Sequence, residues 1–364
     1  VSNGGSIVIG GSIDHAARDA TLPVPFVVVR DGALLDASGT SALLDIPGHG
    51  ATRVASHGGS ISLASGSGLY LDGDMRAYAG GAGAAGGSLS VAMGVRAAGP
   101  QTPDRLRQIH ELVIAQQQGS SELPEGINAN EAAPTLVYGY ARVGADQVEA
   151  GGFDTLCLLS KGMLAFDGNV NLALGQRLNL YAGALGVTEA SGADSRVNLT
   201  APYMRLAGSL APTSPDSPGY FLTGMSYGVT QPVSQQPAAG SLRLEAGYVL
   251  DIEAGSGLGS GGSLNLTRLD GSNELVDRRA FDSTQLVSHG DQRFAGGILY
   301  IPGDLTLAAA QLYPTIGASA TIHAGWRGTS ADYDPGRRLV IARTTDSTPA
   351  MPYSAFGSLT LGAA

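Results

Sequence analysis

Residues 56–93 read SHGGSISLASGSGLYLDGDMRAYAGGAGAAGGSLSVAM. Apolar beats at Ile61 and Leu63, Leu69 and Leu71, Met75 and Ala77, and Leu89 and Val91 alternate with small or polar residues. A period of two places successive side chains on opposite faces of an extended chain, so each beat is a half-buried strand. Gly, Ser or Asp-Gly fills every gap. Strands this short do not build an ordinary sandwich, but they suit a chain that turns a corner, runs briefly and turns again.

The same unit recurs along the chain. Gly-Ser followed by an alternating apolar triplet stands at Gly5-Ser6-Ile7, Gly59-Ser60-Ile61, Gly87-Ser88-Leu89, Gly240-Ser241-Leu242, Gly262-Ser263-Leu264 and Gly357-Ser358-Leu359, with a variant at Gly297-Ile298-Leu299. Three beats per turn imply a coil of roughly 20 to 25 residues, within the range where solenoid repeats stack to bury a continuous core. The fold class that follows is all-β: a right-handed parallel β-helix.

Composition agrees. Gly 54 in 364 residues, 14% charged and 43% hydrophobic residues describe a strand-and-turn protein, and the glycines show no period of three that would indicate collagen. A net charge of −10 disfavours nucleic acid, which requires clustered Lys and Arg. The adjacent basic pairs Arg278-Arg279 and Arg337-Arg338 make no such patch. Cys157, the one cysteine, sits in an apolar beat as a buried, inert thiol and leaves no internal disulfide. Neither a signal-peptide pattern nor a transmembrane run is present, and the start in mid-pattern at VSNGGSIVIGG suggests a piece of a longer chain.

Five segments follow: a first β-helix block at 1–98, a helical insertion and loop at 99–134, a second block at 135–208, a proline-rich excursion at 209–240 and a third block at 241–364. Together they form one continuous solenoid. In the first block, strands are expected near 26–30, 33–35 and 42–46, with Asp31-Gly32 and Ser38-Gly39 as corners. His15, His49 and His57 stand at corners without metal-ligand spacing. The insertion offers Thr102 as N-cap, Pro103 in the first turn, Leu106, Ile109, Leu112 and Val113 along one face, and Gly119 as the stop, so an amphipathic helix is expected, packed against its own coils. Asn169, Asn171, Asn179 and Asn198 fall at corners or outward positions where their amides can bond neighbouring coils. The excursion carries five prolines, which cannot donate to a ladder.

Chemistry-bearing patterns are sparse. Gly224-Met225-Ser226-Tyr227-Gly228 fits a nucleophile elbow, but no helix-forming sequence follows the serine. No catalytic, cofactor-binding or metal-ligating residue is assigned. An enzyme on a β-helix would need two or three carboxylates gathered on one face of adjacent coils; Asp72 with Asp74 is explained by a turn, and the aspartates do not recur at the period of nine that binds calcium. Tyr313, Trp326 and Tyr333 are the candidates for an aromatic contact with a glycan or partner, set against simple corner packing of Trp326.

Several blocks carry a resemblance. ADQVEAGGFDTLCLLSKGMLAFDGNVNLALGQRLNLYA, VNLTAPYMRLAG, FDSTQLVSHGDQRF and LTLAAAQLYPTIGASATIHA come in the order of an uncharacterised domain of filamentous-haemagglutinin-like exoproteins of Gram-negative bacteria, and with residues 58–91 the chain resembles that family over most of its length. Its more specific marks are Ala201-Pro202-Tyr203 and Tyr313-Pro314-Thr315. The resemblance implies export by two-partner secretion through an outer-membrane transporter, an extracellular place on the Gram-negative cell surface, and a role in adhesion, biofilm formation or contact-dependent competition. It brings no catalytic residue and no cofactor. The expected function is therefore a non-enzymatic segment of a surface adhesin, contacting a host or bacterial receptor or glycan and not embedded in the membrane. Its alternatives are a rigid stalk presenting a distal toxin or binding domain, and a polysaccharide-acting lyase or glycosidase.

Overall fold

The computed structural model describes residues 2–10, 26–93, 111–120, 123, 136–160, 162–208, 236–268, 272–328, 332–345 and 356–364. It is a parallel β-helix whose coils visit three faces in turn. Face 1 stacks Ser6–Ile9, Ser60–Ser65, Gly87–Met93, Phe153–Ser160, Arg177–Tyr181, the second part of Arg196–Ala207, the second part of Ser241–Glu253, Asp291–Phe294 and Gln311–Pro314, all in parallel. Face 2 runs in the order Val27–Val29, Gly68–Leu71, Tyr140–Gly144, Glu111–Ala115, Met163–Asp167, Ala184–Val187, Gly255–Ser260, Gly297–Ile301, Ser319–Ala324 and Ser358–Gly362. Face 3 holds Leu34–Asp36, Asp74–Arg76, Val170–Ala173, the first parts of Arg196–Ala207 and Ser241–Glu253, Ser283–Ser288, Asp304–Ala309 and Leu339–Arg343. In the regular stretches hydrogen-bonded neighbours on successive coils lie 20 residues apart for Asp291 and Gln311, and 27 for Asn171 and Asn198.

Register explains the alternation. On face 1, Ile61, Leu89, Leu156, Leu178, Met204 and Leu250 stand directly above one another and are at most 1% exposed. Each rung shields the apolar side chains of the rung beneath, which is how a chain of short strands gathers one continuous core. At three of its positions the Gly-Ser signature marks the corner before face 1. Gly5, Gly59 and Gly87 stack there, and a Cβ on Gly59 or Gly87 would collide with the carbonyl of the glycine one coil below. The expected corner Asp31-Gly32 holds Gly32 in the left-handed region at φ +79°, and Gly168, after Asp167, does the same at φ +70°. Asn198 Nδ2 donates to Asn171 Oδ1 at 2.9 Å and Asn169 Oδ1 accepts from the Arg196 amide at 2.8 Å, so these amides bridge coils as expected.

Three expectations are corrected. Residues 111–115 form a strand rather than the end of a helix: ELVIA is buried along its whole length and lies between two parallel neighbours. A continuous apolar run suits a strand covered on both sides as well as it suits a helix. Residues 102–110, the first part of the expected helix, lie outside the described residues. The α-helix that is described, α1 (Ala145–Ala150), opens at Gly144, closes at Gly151 and takes the place of a face 3 strand, burying Ala145 and Val148. Residues 42–46 and the Gly262-Ser263-Leu264 motif leave the wall as antiparallel hairpins, Ser41–Ile46 with Gly50–Ala55 and Gly262–Arg268 with Asn273–Arg278. Gly261 and Gly262, at φ +78° and +141°, turn the chain out of the coil. Residues 209–235, most of the proline-rich excursion, also lie outside the described residues.

Among the described residues, chain order and stacking order diverge once on face 2. Glu111–Ala115 precedes Tyr140–Gly144 in sequence but stands above it, pairing with Met163–Asp167 on its other edge. Higher up, Ala184–Val187 pairs directly with Gly255–Ser260, although face 1 advances through 203–207 between the corresponding coils.

Candidate contact face

The outer side of face 1 carries a polar and aromatic ladder over its later coils. Register brings Arg177, Tyr203, Val249, Asp291 and Gln311 into one column and Asn179, Arg205, Asp251, Arg293 and Tyr313 into the next. Arg293 grips Asp251 with both arms, Nε to Oδ1 at 2.6 Å and an Nη to Oδ2 at 2.7 Å. Tyr203 Oη also donates to Asp251 Oδ2 at 2.7 Å. One coil on, Tyr313 Oη donates to Asp291 Oδ2 at 2.8 Å, while Gln311 Nε2 reaches Oδ1 at 3.3 Å. Arg205 pairs with Glu253, and the Arg177 guanidinium lies 4.9 Å from the centre of the Tyr203 ring, in reach of a cation–π contact.

Electrostatics hold the ladder together. Burial first, then the hydrogen bond to Asp251, pushes the Tyr203 phenol up to about 12, and burial does the same for Tyr181, to about 12. Both stay neutral in ordinary buffers, and Tyr203 remains a donor to Asp251. Because these values are raised, the stability they contribute is whole below the phenol's usual 10 and is lost as pH climbs toward about 12. The hydrogen bonds to Asp251 raise Arg293 against the opposing effect of burial. Asp251 and Asp291 stand on adjacent coils of one face, the placement an acid–base enzyme would need. Yet the oxygens of each are committed to donors within the ladder, which suits rigid recognition better than proton transfer.

Of the aromatic candidates, Tyr313 belongs to this ladder. Trp326 and Tyr333 lie elsewhere, bridged to each other beside face 2. There Tyr300 and His323 stack with ring centres 5.3 Å apart and planes 8° apart, Trp326 packs 4.3 Å from Tyr300, and His323 Nδ1 lies 2.6 Å from Tyr333 Oη. Trp326 is 8% exposed, so its ring is part of the packing rather than an open platform. Burial lowers His323 below the usual 6.5, which keeps the ring neutral and able to accept from Tyr333. A lowered value means that the contact's stability is present above the unfolded pKa and lost as pH falls through the folded one. Trp326 is the single tryptophan. Its emission is therefore expected to hold steady from pH 8 to 6.5 and to shift to the red in mild acid, with Tyr333→Phe removing the step; a spectrum unchanged down to pH 4 would contradict this coupling.

A third arrangement lies outside face 2. The hairpin ending at Arg278 and the short strand Val137–Tyr138 form an antiparallel sheet over Met163 and Ala184, with Val276 packed beneath. Glu111, wholly buried, accepts from Arg278 Nε at 2.5 Å and from an Arg278 Nη at 2.9 Å. Burial pulls Arg278 down, but the bonds to Glu111 outweigh it and the net direction is up. Burial, then the Glu111 charge, also raises the neighbouring Tyr140.

Inside the wall, Gln292 replaces a leucine in a core column, between Leu250 and Leu312, and its amide finds no hydrogen-bond partner. Thr284 Oγ1 is likewise unpaired and lines a small cavity with Leu185, Leu258, Ser260 and Phe281. Among the described residues no group of three or more His, Cys, Asp or Glu is placed to hold a metal ion, and no helix is long and apolar enough to cross a membrane.

Asp251 and Arg293 were not singled out from the sequence, and Tyr203 entered only as a mark of the resemblance, since partners 42 and 48 residues apart meet only once the register is known. A local signal existed: Tyr203 follows Pro202, and Tyr313 precedes Pro314, in the two blocks that stand out most from the Gly-Ser background. Compared with family models, with characterised proteins and with solved structures, the chain matches none.

Proposed function

We propose that this chain is a non-enzymatic segment of a secreted, surface-associated adhesin of the two-partner-secretion type, and that the face 1 ladder is where it meets its receptor or glycan. The observation that carries the reading is the pairing of Tyr203, Asp251, Arg293, Asp291 and Tyr313 across successive coils. It presents aromatic and charged groups in fixed positions on a rigid wall, so little side-chain freedom is lost when a partner docks. The test is a glycan and cell-surface binding screen with the wild type and with Tyr203→Ala, Arg293→Ala and Tyr313→Ala combined. Attachment is expected to fall at least tenfold while the β spectrum persists. Unchanged attachment sinks the assignment of the ladder.

The stalk reading has one observation in its favour: the same groups satisfy one another, and a spacer needs no more than that. Removing the segment from the secreted protein separates the two. Lost adhesion with intact delivery of any distal activity counts against the stalk.

A further inference from the structure

Among the described residues, the out-of-order strand on face 2 answers to a strand missing higher up the same face. Between Ser60–Ser65 and residues 249–253, face 1 stacks four strands: Gly87–Met93, Phe153–Ser160, Arg177–Tyr181 and 203–207. Between Gly68–Leu71 and Gly255–Ser260, face 2 also stacks four: Tyr140–Gly144, Glu111–Ala115, Met163–Asp167 and Ala184–Val187. One of these is out of turn. Among the described residues, no strand following 203–207 enters face 2, where Ala184–Val187 bonds straight to Gly255–Ser260. Glu111–Ala115 restores the count. Neighbouring strands are spaced about 4.8 Å apart, so a face one strand short would lag its partner by that height and the core columns could not all meet.

We propose that Glu111–Ala115 is a donor strand, and that the edges of Tyr140–Gly144 and Met163–Asp167 form a peptide-binding slot which accepts this sequence in trans as well as in cis. The occupant is a strand of the same sequence supplied by a second copy of the chain. This proposal does not rest on the adhesin reading. The slot has the features of β-strand addition: main-chain bonds on both edges and pockets for alternate side chains. Five residues pair on each side, Glu111 to Ala115 against Tyr140 to Gly144 and against Met163 to Asp167. Leu112 and Ile114 enter the core and are at most 2% exposed. Glu111 meets Arg278 of the covering hairpin, so the first position selects a carboxylate. Residues 117, 119 and 120, just past the strand, are exposed and accessible to cutting.

The experiment begins from the full chain, with protease sites engineered after Gly119 and within residues 99–104. After cleavage of the folded protein, the excised piece is expected to remain bound through gel filtration. Mild denaturant followed by dilution should then exchange it for a labelled synthetic peptide of residues 109–118. A Leu112→Asp peptide should fail to exchange, and a Glu111→Gln peptide should be retained at least tenfold more weakly. In a second arm, residues 94–135 are replaced by a short Gly-Ser linker; this variant should melt at lower temperature than wild type and recover when the peptide is added. A cleaved strand that leaves while amide protection of 140–144 and 163–167 persists would overturn the proposal. So would a linker variant that melts like wild type and ignores the peptide, or equal retention of the Leu112→Asp peptide.

Discussion

Replacing Glu111 with glutamine is expected to cost about 3–5 kcal/mol of local stability, because it leaves the Arg278 guanidinium buried without its counter-charge. Glu111 is wholly buried and the Arg278 side chain is only 10% exposed, so water cannot take the carboxylate's place. The loss should appear first in the strands that flank it, Tyr140–Gly144 and Met163–Asp167, and in the hairpin that carries Arg278. In a solenoid each coil contacts only its neighbours, so amide exchange resolved by segment is the right readout rather than one global melting curve. Glu111→Leu combined with Arg278→Met removes both charges and should recover most of the loss, since apolar pairs of similar volume replace buried ion pairs at little cost. A double variant as unstable as Glu111→Gln would mean that the hairpin depends on the ion pair itself.

Phe166→Ala is the second large effect, about 3–5 kcal/mol from lost burial plus the cavity left behind. Phe166 is 0% exposed, stands between Ile114 and Val187 in its column, and tilts toward Phe281 with ring centres 5.9 Å apart. It therefore joins the donor strand below to the coil beside the small Thr284 cavity above. Phe166→Leu keeps much of the volume and should cost about 1.5 kcal/mol or less. Loss of exchange protection for Phe166→Ala should spread in both directions, to 111–115 and to 184–187; protection unchanged at 111–115 would show that the two coils do not share a core.

Much of the fold was legible because a parallel coil repeats one local rule. Ile61, Leu89 and Leu156 fall into one column since each is flanked by small or polar residues at a period of two, and Gly59 and Gly87 recur because the corner leaves no room for a Cβ. What the sequence concealed was non-local. ELVIA at 111–115 has the apolar density of either a helix or a strand, and only the neighbours on both edges decide. The Gly-Ser motif at 262 looks like every other corner, while the two positive φ angles that lead the chain outward leave no mark on composition. The face 1 ladder was hidden for the same reason: Asp251 reads as one more polar residue until Arg293 is set beside it and Tyr203 beneath. Trp326, the most conspicuous aromatic, drew attention to a packed corner.

The stacking order of face 2 is open to a direct chemical test. Val113, Arg142 and Ala165 share one outward register, with Val113 in the middle. In a Cys157→Ser background, Val113→Cys with Ala165→Cys is expected to form a disulfide under mild oxidation, because adjacent strands bring the Cα atoms within the 4.4–6.8 Å that the bond spans. Arg142→Cys with Ala165→Cys should not, being a further strand apart. A bridge between 142 and 165, with none between 113 and 165, would place the coils in simple chain order and contradict the inserted strand.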